Sequence, residues 1–363
     1  MNNIYTLDIH EAFMSHALEL AKKGRGHVSP NPMVGCVLVK DGEIIGEGYH
    51  EKYGDSHAEV MAIRNSRMDP QGATAYINLE PCCTEGNTPP CTLALKENGI
   101  SEVFVGMLDP NPKVNGKGID YLERSGISTH VGVLEDESRE LNLGFEKWIT
   151  QSIPFVIAKV AQTVDGFMGI DSSTSIWLTG DASKVHTHKL RSKVDAILIG
   201  RQTALIDNPS LTVRKTNGIN PIRIVLDTNR TLPLSLKLFN DNKARTINLC
   251  SNEKFNNGKT HFCEYLCVPE SKNMLEPDNI LKALGEEGIT SLLIEGGQRV
   301  LKSFFVNDLI DKVYIYTSSK KLQNAELENP LLLTDDWDII SEESLENDSL
   351  VVAKKGEKCL QVL

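Results

Sequence analysis

The sequence predicts an α/β protein with two domains, of which the first has three layers. The chain has 363 residues, which is long for one domain and comfortable for two. Helical spacing of apolar residues alternates with short apolar runs typical of strands, and this alternation indicates an α/β fold. The two halves differ in pattern on either side of residues 144–154, so we expect domains over 1–150 and 151–363.

The first half begins with helical spacing of apolar residues over 11–22, which predicts a helix. Two apolar runs, 35–39 and 43–46, flank Asp41-Gly42, and this arrangement predicts a β-hairpin with a tight turn. Further helices are expected over 58–65 and 92–98, and further strands over 75–79 and 103–107.

The second half is expected to open with a strand over 154–159. Further apolar runs end in glycine or an acidic residue, as buried parallel strands do, at 195–200, 222–227 and 291–297. Helical patterns occupy 182–193 and 298–305, so a strand, Gly296-Gly297 and a helix follow one another, which is a weak signal for a phosphate-binding turn. The acidic tract from Asp335 to Glu346 is expected to be a solvated surface.

The composition argues against several classes of function. The formal net charge is −11 at pH 7, whereas nucleic-acid binding needs clustered Lys and Arg, so no nucleic-acid partner is expected. No run approaches the roughly 18 apolar residues of a membrane span, and the start lacks the pattern of a secretory signal. The eight cysteines show no disulfide-framework spacing. We therefore expect a cytoplasmic protein with reduced thiols and no membrane partner.

Four residues of the first half form a candidate zinc site with its own acid–base group. His57, Cys82 and Cys91 offer one imidazole and two thiolates, and Glu59 adds a carboxylate. Three protein ligands leave one position of a tetrahedral zinc open for water, which is the catalytic rather than the structural pattern. The order H-x-E…P-C…C is a signature of zinc deaminases that act on nucleobase-like rings. We therefore expect one zinc ion per chain, with Glu59 as the proton carrier.

The spacing alone leaves two points open. His57 and Glu59 are two residues apart, and such residues converge only if His57 lies at the irregular start of a helix. A structural zinc would need a fourth protein ligand, which Cys83 or His50 could supply. Glu59 argues against that alternative, because a structural site does not use an unpaired carboxylate.

Both halves of the chain carry short motifs in a defined order. In the first half these are Ser29-Pro30-Asn31-Pro32, Val34-Gly35-Cys36, Gly46 to His50, His57-Ala58-Glu59, Leu79 to Cys82 and Thr88 to Cys91. Eight residues separate Cys82 from Cys91, whereas cytidine, guanine and tRNA adenosine deaminases carry P-C-x-x-C. In the second half the motifs are Lys159 to Gly166, Ser175 to Thr179, Leu190-Arg191, Asp195 to Gly200, Asp207 to Arg214 and Glu295-Gly296-Gly297.

Together, these motifs in this order resemble the bifunctional riboflavin-biosynthesis deaminase/reductase family of bacteria. The resemblance implies a cytidine-deaminase-like N-terminal domain and a dihydrofolate-reductase-like C-terminal domain that uses NADPH. It also implies two consecutive steps on one phosphorylated intermediate, a diaminopyrimidinone with a ribosylamino 5-phosphate. The first domain would replace the 2-amino group of the ring by oxygen, and the second would reduce the ribose to a ribityl chain. The implied partners are this small molecule and, because the family forms homo-oligomers, further copies of the chain.

The resemblance also assigns roles to individual residues. The catalytic residues are Glu59 and Lys159. The substrate-binding residues are Asn31, His50, Ser175, Arg191, Leu211, Arg214 and Glu295. The cofactor-binding residues are Gln162, Trp177, Thr203, Asp207, Thr228 and Gly297. Arg191 and Arg214 suit a phosphorylated substrate, since a guanidinium holds a phosphate through two parallel hydrogen bonds.

The sequence departs from the family at several positions. Thr84 replaces a histidine that normally faces the pyrimidine, and Asn87 replaces a lysine or arginine. Gln162 and Gln202 stand where small residues are usual, and residues 317–322 replace the family's A-P-x-L-L-G. These departures leave two alternatives open, a reductase with a degenerate deaminase domain and a related enzyme for another pyrimidine nucleotide.

Overall fold

The structure is a computed structural model that describes residues 4–84, 89–170, 176–251, 263–271 and 274–356. It divides into two compact units, Met1–Ser152 and Ile153–Leu363. Each unit has its own sheet and its own hydrophobic core. Within the described residues, no helix combines the length and the apolar character that a membrane span requires.

The first unit is built around a five-stranded mixed sheet in the order β2-β1-β3-β4-β5. Its helices are α1 (Ile4–Ala21), α2 (Ala58–Arg64), α3 (Cys91–Glu97), α4 (Lys117–Arg124) and α5 (Glu135–Gln151). Its strands are β1 (Gly35–Lys40), β2 (Glu43–Tyr49), β3 (Thr74–Leu79), β4 (Glu102–Met107) and β5 (Ser128–Val131). The predicted hairpin is present, and both Asp41 and Gly42 have the positive φ that its tight turn requires.

Helices cover both faces of this sheet, which confirms the predicted three-layer arrangement. Ala62 of α2, Leu95 of α3 and Leu122 of α4 share one core cluster with residues of β1, β3 and β4. On the opposite face, Met14 of α1 belongs to a cluster with Tyr76 of β3. Burial of these side chains is the main driving force that holds the layers together.

Glycines on β2 bring helix α2 close to the sheet. A Cβ at Gly48 would lie 2.3 Å from the backbone nitrogen of Ala62, and one at Gly46 would lie 2.4 Å from its carbonyl oxygen. No side chain fits in that space, so α2 packs directly on the strand. This close packing sets the position of the first turn of α2, where Glu59 lies.

The second unit is built around a nine-stranded sheet in the order β11-β10-β9-β8-β14-β6-β15-β18-β17. Its helices are α6 (Asp181–Arg191), α7 (Arg201–Asp207), α8 (Lys237–Asn240), α9 (Pro277–Glu286) and α10 (Gln298–Val306). Its strands are β6 (Phe155–Thr163), β7 (Phe167–Gly169), β8 (Ala196–Gly200), β9 (Ile222–Leu226), β10 (Thr246–Ser251), β11 (Glu264–Val268), β12 (Glu270–Ser271), β13 (Met274–Leu275), β14 (Ser291–Gly296), β15 (Lys312–Ser318), β16 (Leu327–Glu328), β17 (Trp337–Leu345) and β18 (Asp348–Lys355).

Seven neighbouring strands of this sheet, from β11 to β15, are parallel, whereas β18 and β17 are antiparallel. Every residue of β8 is buried, as predicted for a parallel strand covered on both faces. The carboxyl ends of β6, β14, β8 and β9 therefore lie along one edge of the sheet, which is where open α/β sheets bind ligands.

The acidic tract from Asp335 to Glu346 is largely exposed, as the sequence indicates, but most of it forms the edge strand β17. The sequence analysis missed this strand. Its mostly polar, exposed residues do not alternate with apolar ones, and that alternation is the signal by which a half-buried strand is recognised.

Candidate active sites

Three potential metal ligands converge in the first unit. The ligand atoms of His57, Cys82 and Cys91 all lie within 4.8 Å of one another. His57 Nδ1 is 3.1 Å from Cys91 Sγ and 3.5 Å from Cys82 Sγ. One imidazole and two thiols are a donor set that suits zinc, and three ligands leave one tetrahedral position free. The residues therefore fit a catalytic zinc ion.

The surroundings of this triad favour a thiolate. A hydrogen bond from the Cys91 thiol, assisted by His57, holds the pKa of Cys82 well below its usual range. The same hydrogen bond, together with burial, raises the pKa of Cys91. The backbone N–H of Cys91 also points at Cys82 Sγ, at 3.4 Å. Because the thiolate is the form that binds metal, Cys82 is prepared for coordination.

Two helix starts and one strand end position these side chains. His57 is the N-cap of α2 and has extended backbone angles, φ −74° and ψ 163°. This is the irregular helix start that allows residues two apart to converge. Cys91 is the first residue of α3, and Cys82 follows β3. Glu59 is only 3% exposed, and burial raises its pKa, while the nearby His57 lowers it.

Asn31 and His50 lie beside the triad. Asn31 Nδ2 donates to His50 Nε2 at 3.0 Å, and His50 Nδ1 donates to the carbonyl oxygen of Ser56 at 3.2 Å. The ring of His50 meets that of His57 edge-on, with centroids 5.6 Å apart. Burial lowers the pKa of His50, which keeps this ring neutral.

The structural-zinc alternative needs a fourth protein ligand. Both ring nitrogens of His50 are already hydrogen-bonded. Cys83 does not belong to the cluster of ligand atoms, which within the described residues contains three members. This geometry favours the catalytic pattern. Thr84 is exposed, and Asn87 lies outside the described residues.

Glu80 has a role that the sequence analysis missed. Its buried carboxylate accepts backbone N–H groups from Asp109 at 3.1 Å, Gly116 at 2.8 Å and Gly118 at 2.8 Å. A Cβ at Gly118 would lie 2.3 Å from the carbonyl oxygen of Pro81. Glu80 therefore ties the segment 109–118 to the metal-bearing segment. The feature of the sequence that could have indicated this role is the position of the carboxylate, two residues before Cys82.

In the second unit a charged cluster forms between α6 and the carboxyl end of β14. Arg191 donates Nε to Glu295 Oε1 at 2.7 Å and Nη2 to Oε2 at 2.6 Å, and the two side chains are 12% and 7% exposed. Lys159 lies on β6, the strand next to β14. Burial lowers the pKa of Lys159. Burial raises the pKa of Glu295, but Arg191 and then Lys159 outweigh it and hold that pKa below its ordinary value.

The guanidinium fork of Arg191 is therefore engaged by Glu295. Its third nitrogen, Nη1, donates to the carbonyl oxygen of Thr212 at 3.2 Å. Arg214 donates Nη1 to Thr212 Oγ1 at 3.0 Å and is exposed. Arg214 thus lies at the edge of the cluster, and of its guanidinium nitrogens only Nη1 has a hydrogen bond within the described residues. In Arg191, by contrast, Nε and Nη2 both donate to Glu295.

His188 is a second residue that the sequence analysis missed. It precedes Arg191 by three residues in α6, so both lie on one face of the helix. Its Nδ1 accepts the backbone N–H of Arg214 at 3.0 Å. Burial, and then the charges of Arg191 and Arg214, lower its pKa to about 4, so the ring is neutral at pH 7. The feature of the sequence that could have indicated His188 is its H-x-x-R spacing from Arg191 within the predicted helix 182–193.

Two of the predicted cofactor-binding residues meet at neighbouring strand ends. Gly297 has φ +86° and is the N-cap of α10. A Cβ there would lie 3.4 Å from Thr203 Oγ1 and 3.9 Å from the backbone nitrogen of Gly200. The positive φ of Gly297 is one that glycine adopts readily, and a helix N-terminus suits a pyrophosphate. These residues fit a dinucleotide.

The remaining predicted cofactor-binding residues are spread around this edge. Gln162 donates to Thr317 Oγ1 at 3.0 Å and accepts from Asn329 Nδ2 at 2.7 Å. Trp177 is 70% exposed, Asp207 is exposed at the end of α7, and Thr228 follows β9. In the described part of the chain, no hydrogen bond or ion pair joins these last three residues to Lys159 or Glu295.

Two predicted substrate-binding residues remain. Leu211 is buried and has φ +49°, an unusual angle for leucine, directly before Thr212. Ser175 lies outside the described residues.

Two family descriptions match the chain. Residues 7–107 match the cytidine and deoxycytidylate deaminase zinc-binding region, and residues 154–322 match the RibD C-terminal domain. Among curated proteins, the riboflavin biosynthesis protein RibD of Aquifex aeolicus (strain VF5) is 43% identical over 316 residues, which covers 86% of this chain and 88% of the relative. The RibD protein of Escherichia coli (strain K12) is 36% identical over 329 residues and covers 86% and 88%.

Solved structures show the same similarity over nearly the full length. A diaminohydroxyphosphoribosylaminopyrimidine deaminase/5-amino-6-(5-phosphoribosylamino)uracil reductase from Thermotoga maritima has a TM-score of 0.86 and 36% identity, covering 96% of this chain and 99% of that one. RibD of Acinetobacter baumannii has a TM-score of 0.82 and 32% identity, covering 97% and 100%.

Proposed function

Because this chain belongs to the RibD family of bifunctional deaminases and reductases of riboflavin biosynthesis, we propose that it performs both steps on one intermediate. Residues 1–150 would deaminate 2,5-diamino-6-ribosylamino-4(3H)-pyrimidinone 5′-phosphate. Residues 151–363 would reduce the product to 5-amino-6-ribitylamino-uracil 5′-phosphate. The observation that carries the proposal is the convergence of His57, Cys82 and Cys91 next to the buried carboxylate of Glu59.

In the first unit, His57, Cys82 and Cys91 would hold the zinc ion. A zinc ion held there would lower the pKa of a water molecule from 15.7 to about 7. Glu59 takes one proton from the attacking water and passes it to the departing amine. Water and the ring amine thus become a ring carbonyl and ammonia. Asn31 and the neutral His50, which lie beside the triad, orient the pyrimidine ring.

In the second unit, the start of α10 at Gly297 would hold the pyrophosphate of NADPH, with Thr203 beside it. NADPH bound there would supply the hydride for the ribosyl carbon of the open-chain imine form of the sugar. Lys159 delivers the proton to the imine nitrogen, because burial lowers the pKa of its ammonium and eases proton release. Glu295, held by Arg191, orients the sugar chain.

NADPH rather than NADH is proposed from the family resemblance. A phosphorylated substrate is supported by the positive charges of Arg191 and Lys159 near Glu295, and by Arg214, which lies near Arg191. Homo-oligomeric assembly and a cytoplasmic location stay predictions.

The experiment is mass spectrometry of the products formed from the diaminopyrimidinone ribosylamino phosphate. Without NADPH, the expected product shows only the change from amine to carbonyl. With NADPH, it gains two further hydrogens. Reduction without deamination would mean that the first unit is degenerate, and no change under either condition would point to another pyrimidine nucleotide.

A further inference from the structure

We propose that His188 is a substrate-binding residue of the reductase site, whose Nε2–H donates a hydrogen bond to the 5′-phosphate. The inference rests on the proposed reductase function and extends it to a residue outside the family-derived set. Two arguments support it. One is the hydrogen bonding of the two ring nitrogens of His188, and the other is the charge around the ring.

The hydrogen bond at Nδ1 determines the tautomer of His188. His188 Nδ1 accepts the backbone N–H of Arg214 at 3.0 Å, so Nδ1 carries no proton. A neutral imidazole with an unprotonated Nδ1 carries its proton on Nε2. The side chain is 5% exposed, and within the described residues Nε2 has no hydrogen-bond or ion-pair partner. Among the described residues, Nε2 is not one of the enclosed side-chain atoms that lack a partner, so this donor keeps access to solvent and can meet an anion.

The second argument is the charge around this donor. Arg191, Arg214 and Lys215 place positive charge around His188, and Glu295 places one negative charge there. Positive charge therefore predominates around this donor, which suits a phosphate monoester dianion. The Arg191 fork is occupied by Glu295. Arg214 and the Nε2–H of His188 are thus the donors left for the phosphate.

A purely structural role is the competing explanation, because His188 also anchors the backbone of Arg214. Two substitutions separate the roles. In His188→Asn, the amide oxygen can still accept from the Arg214 N–H, but the distal donor is lost. In His188→Gln, the longer amide can reach the position of Nε2, but the anchor is weakened. His186→Asn changes another histidine of α6, one that contacts Tyr316, and serves as the control.

The kinetic test compares 5-amino-6-(5-phosphoribosylamino)uracil with its dephosphorylated analogue in NADPH oxidation. We expect His188→Asn to lower the phosphorylated-to-dephosphorylated ratio of kcat/KM at least tenfold, mainly through KM, because a hydrogen bond to a charged group is lost. His188→Gln should recover part of the ratio, and His186→Asn should leave the ratio at the wild-type value. Equal losses on both substrates in His188→Asn would overturn the proposal.

A measurement on the wild-type chain covers the case in which a variant fails to fold. In ¹⁵N-histidine-labelled protein, ribose 5-phosphate should shift the Nε2 resonance of His188, and ribose should not. An unshifted resonance at saturating ribose 5-phosphate would overturn the inference. Wild-type turnover tests the proposed function separately, since an enzyme that does not reduce the intermediate can still show or lack this binding signature.

Discussion

Replacing Glu59 with glutamine tests the proton-transfer role in the first unit. Glu59 is 3% exposed, and glutamine has almost the same volume, so the change leaves no cavity. It removes the charge and the proton acceptor beside Cys91. General acid–base catalysis contributes about 10²- to 10⁴-fold. We therefore expect kcat for deamination to fall by that factor, or about 3 to 5 kcal/mol in activation free energy.

The zinc site should survive this substitution, because the ligand cluster consists of His57, Cys82 and Cys91 without Glu59. The assay measures ammonia release, zinc content by mass spectrometry of the metal, and NADPH oxidation with the deaminated intermediate. Glu97→Gln, an exposed change on α3, is the matched control. Deamination within tenfold of wild type would refute the proton-carrier role. Joint loss of zinc and activity would show instead that Glu59 maintains the metal site.

Four further predictions concern both units. Lys159→Ala should lower NADPH oxidation at least 100-fold and leave ammonia release intact, since general acid catalysis resides in the second unit; parallel loss of ammonia release would contradict this. Chelation with a strong zinc ligand should abolish deamination alone, and an apo protein that still deaminates would disprove the metal assignment. Arg223 is fully buried and paired with Asp241 at 2.7 Å, so Arg223→Met should lower the free energy of unfolding by about 3–5 kcal/mol in urea titrations. An unchanged urea midpoint would show that this ion pair does not stabilise the fold. His188 has a pKa of about 4 in the folded protein against an ordinary 6.5, so the unfolded state takes up the proton first and stability falls as the pH drops from 6.5 to 4. In thermal melts over this pH range, His188→Asn should lose less stability than the wild type. An identical dependence of stability on pH would refute the buried neutral ring.

Much of the fold was predictable because its signals are local. The Asp41-Gly42 hairpin, the helix over 58–65 and the apolar run at 195–200 each depend on short-range periodicity or turn chemistry, and all three are present in the structure. The edge strand β17 was not predictable in this way. Its pairing with β18 depends on a neighbour, and its own residues are mostly exposed.

The sequence by itself determined the chemistry of the first site, because residue type and order already specify a zinc donor set with a carboxylate. Tertiary structure decided how those groups meet, since the position of His57 before α2 depends on the packing of that helix against Gly46 and Gly48. It also decided that Arg191 binds Glu295, 104 residues away, and that Glu80 holds Gly118. Partners so distant are brought together by strand order and helix packing, which local spacing does not encode.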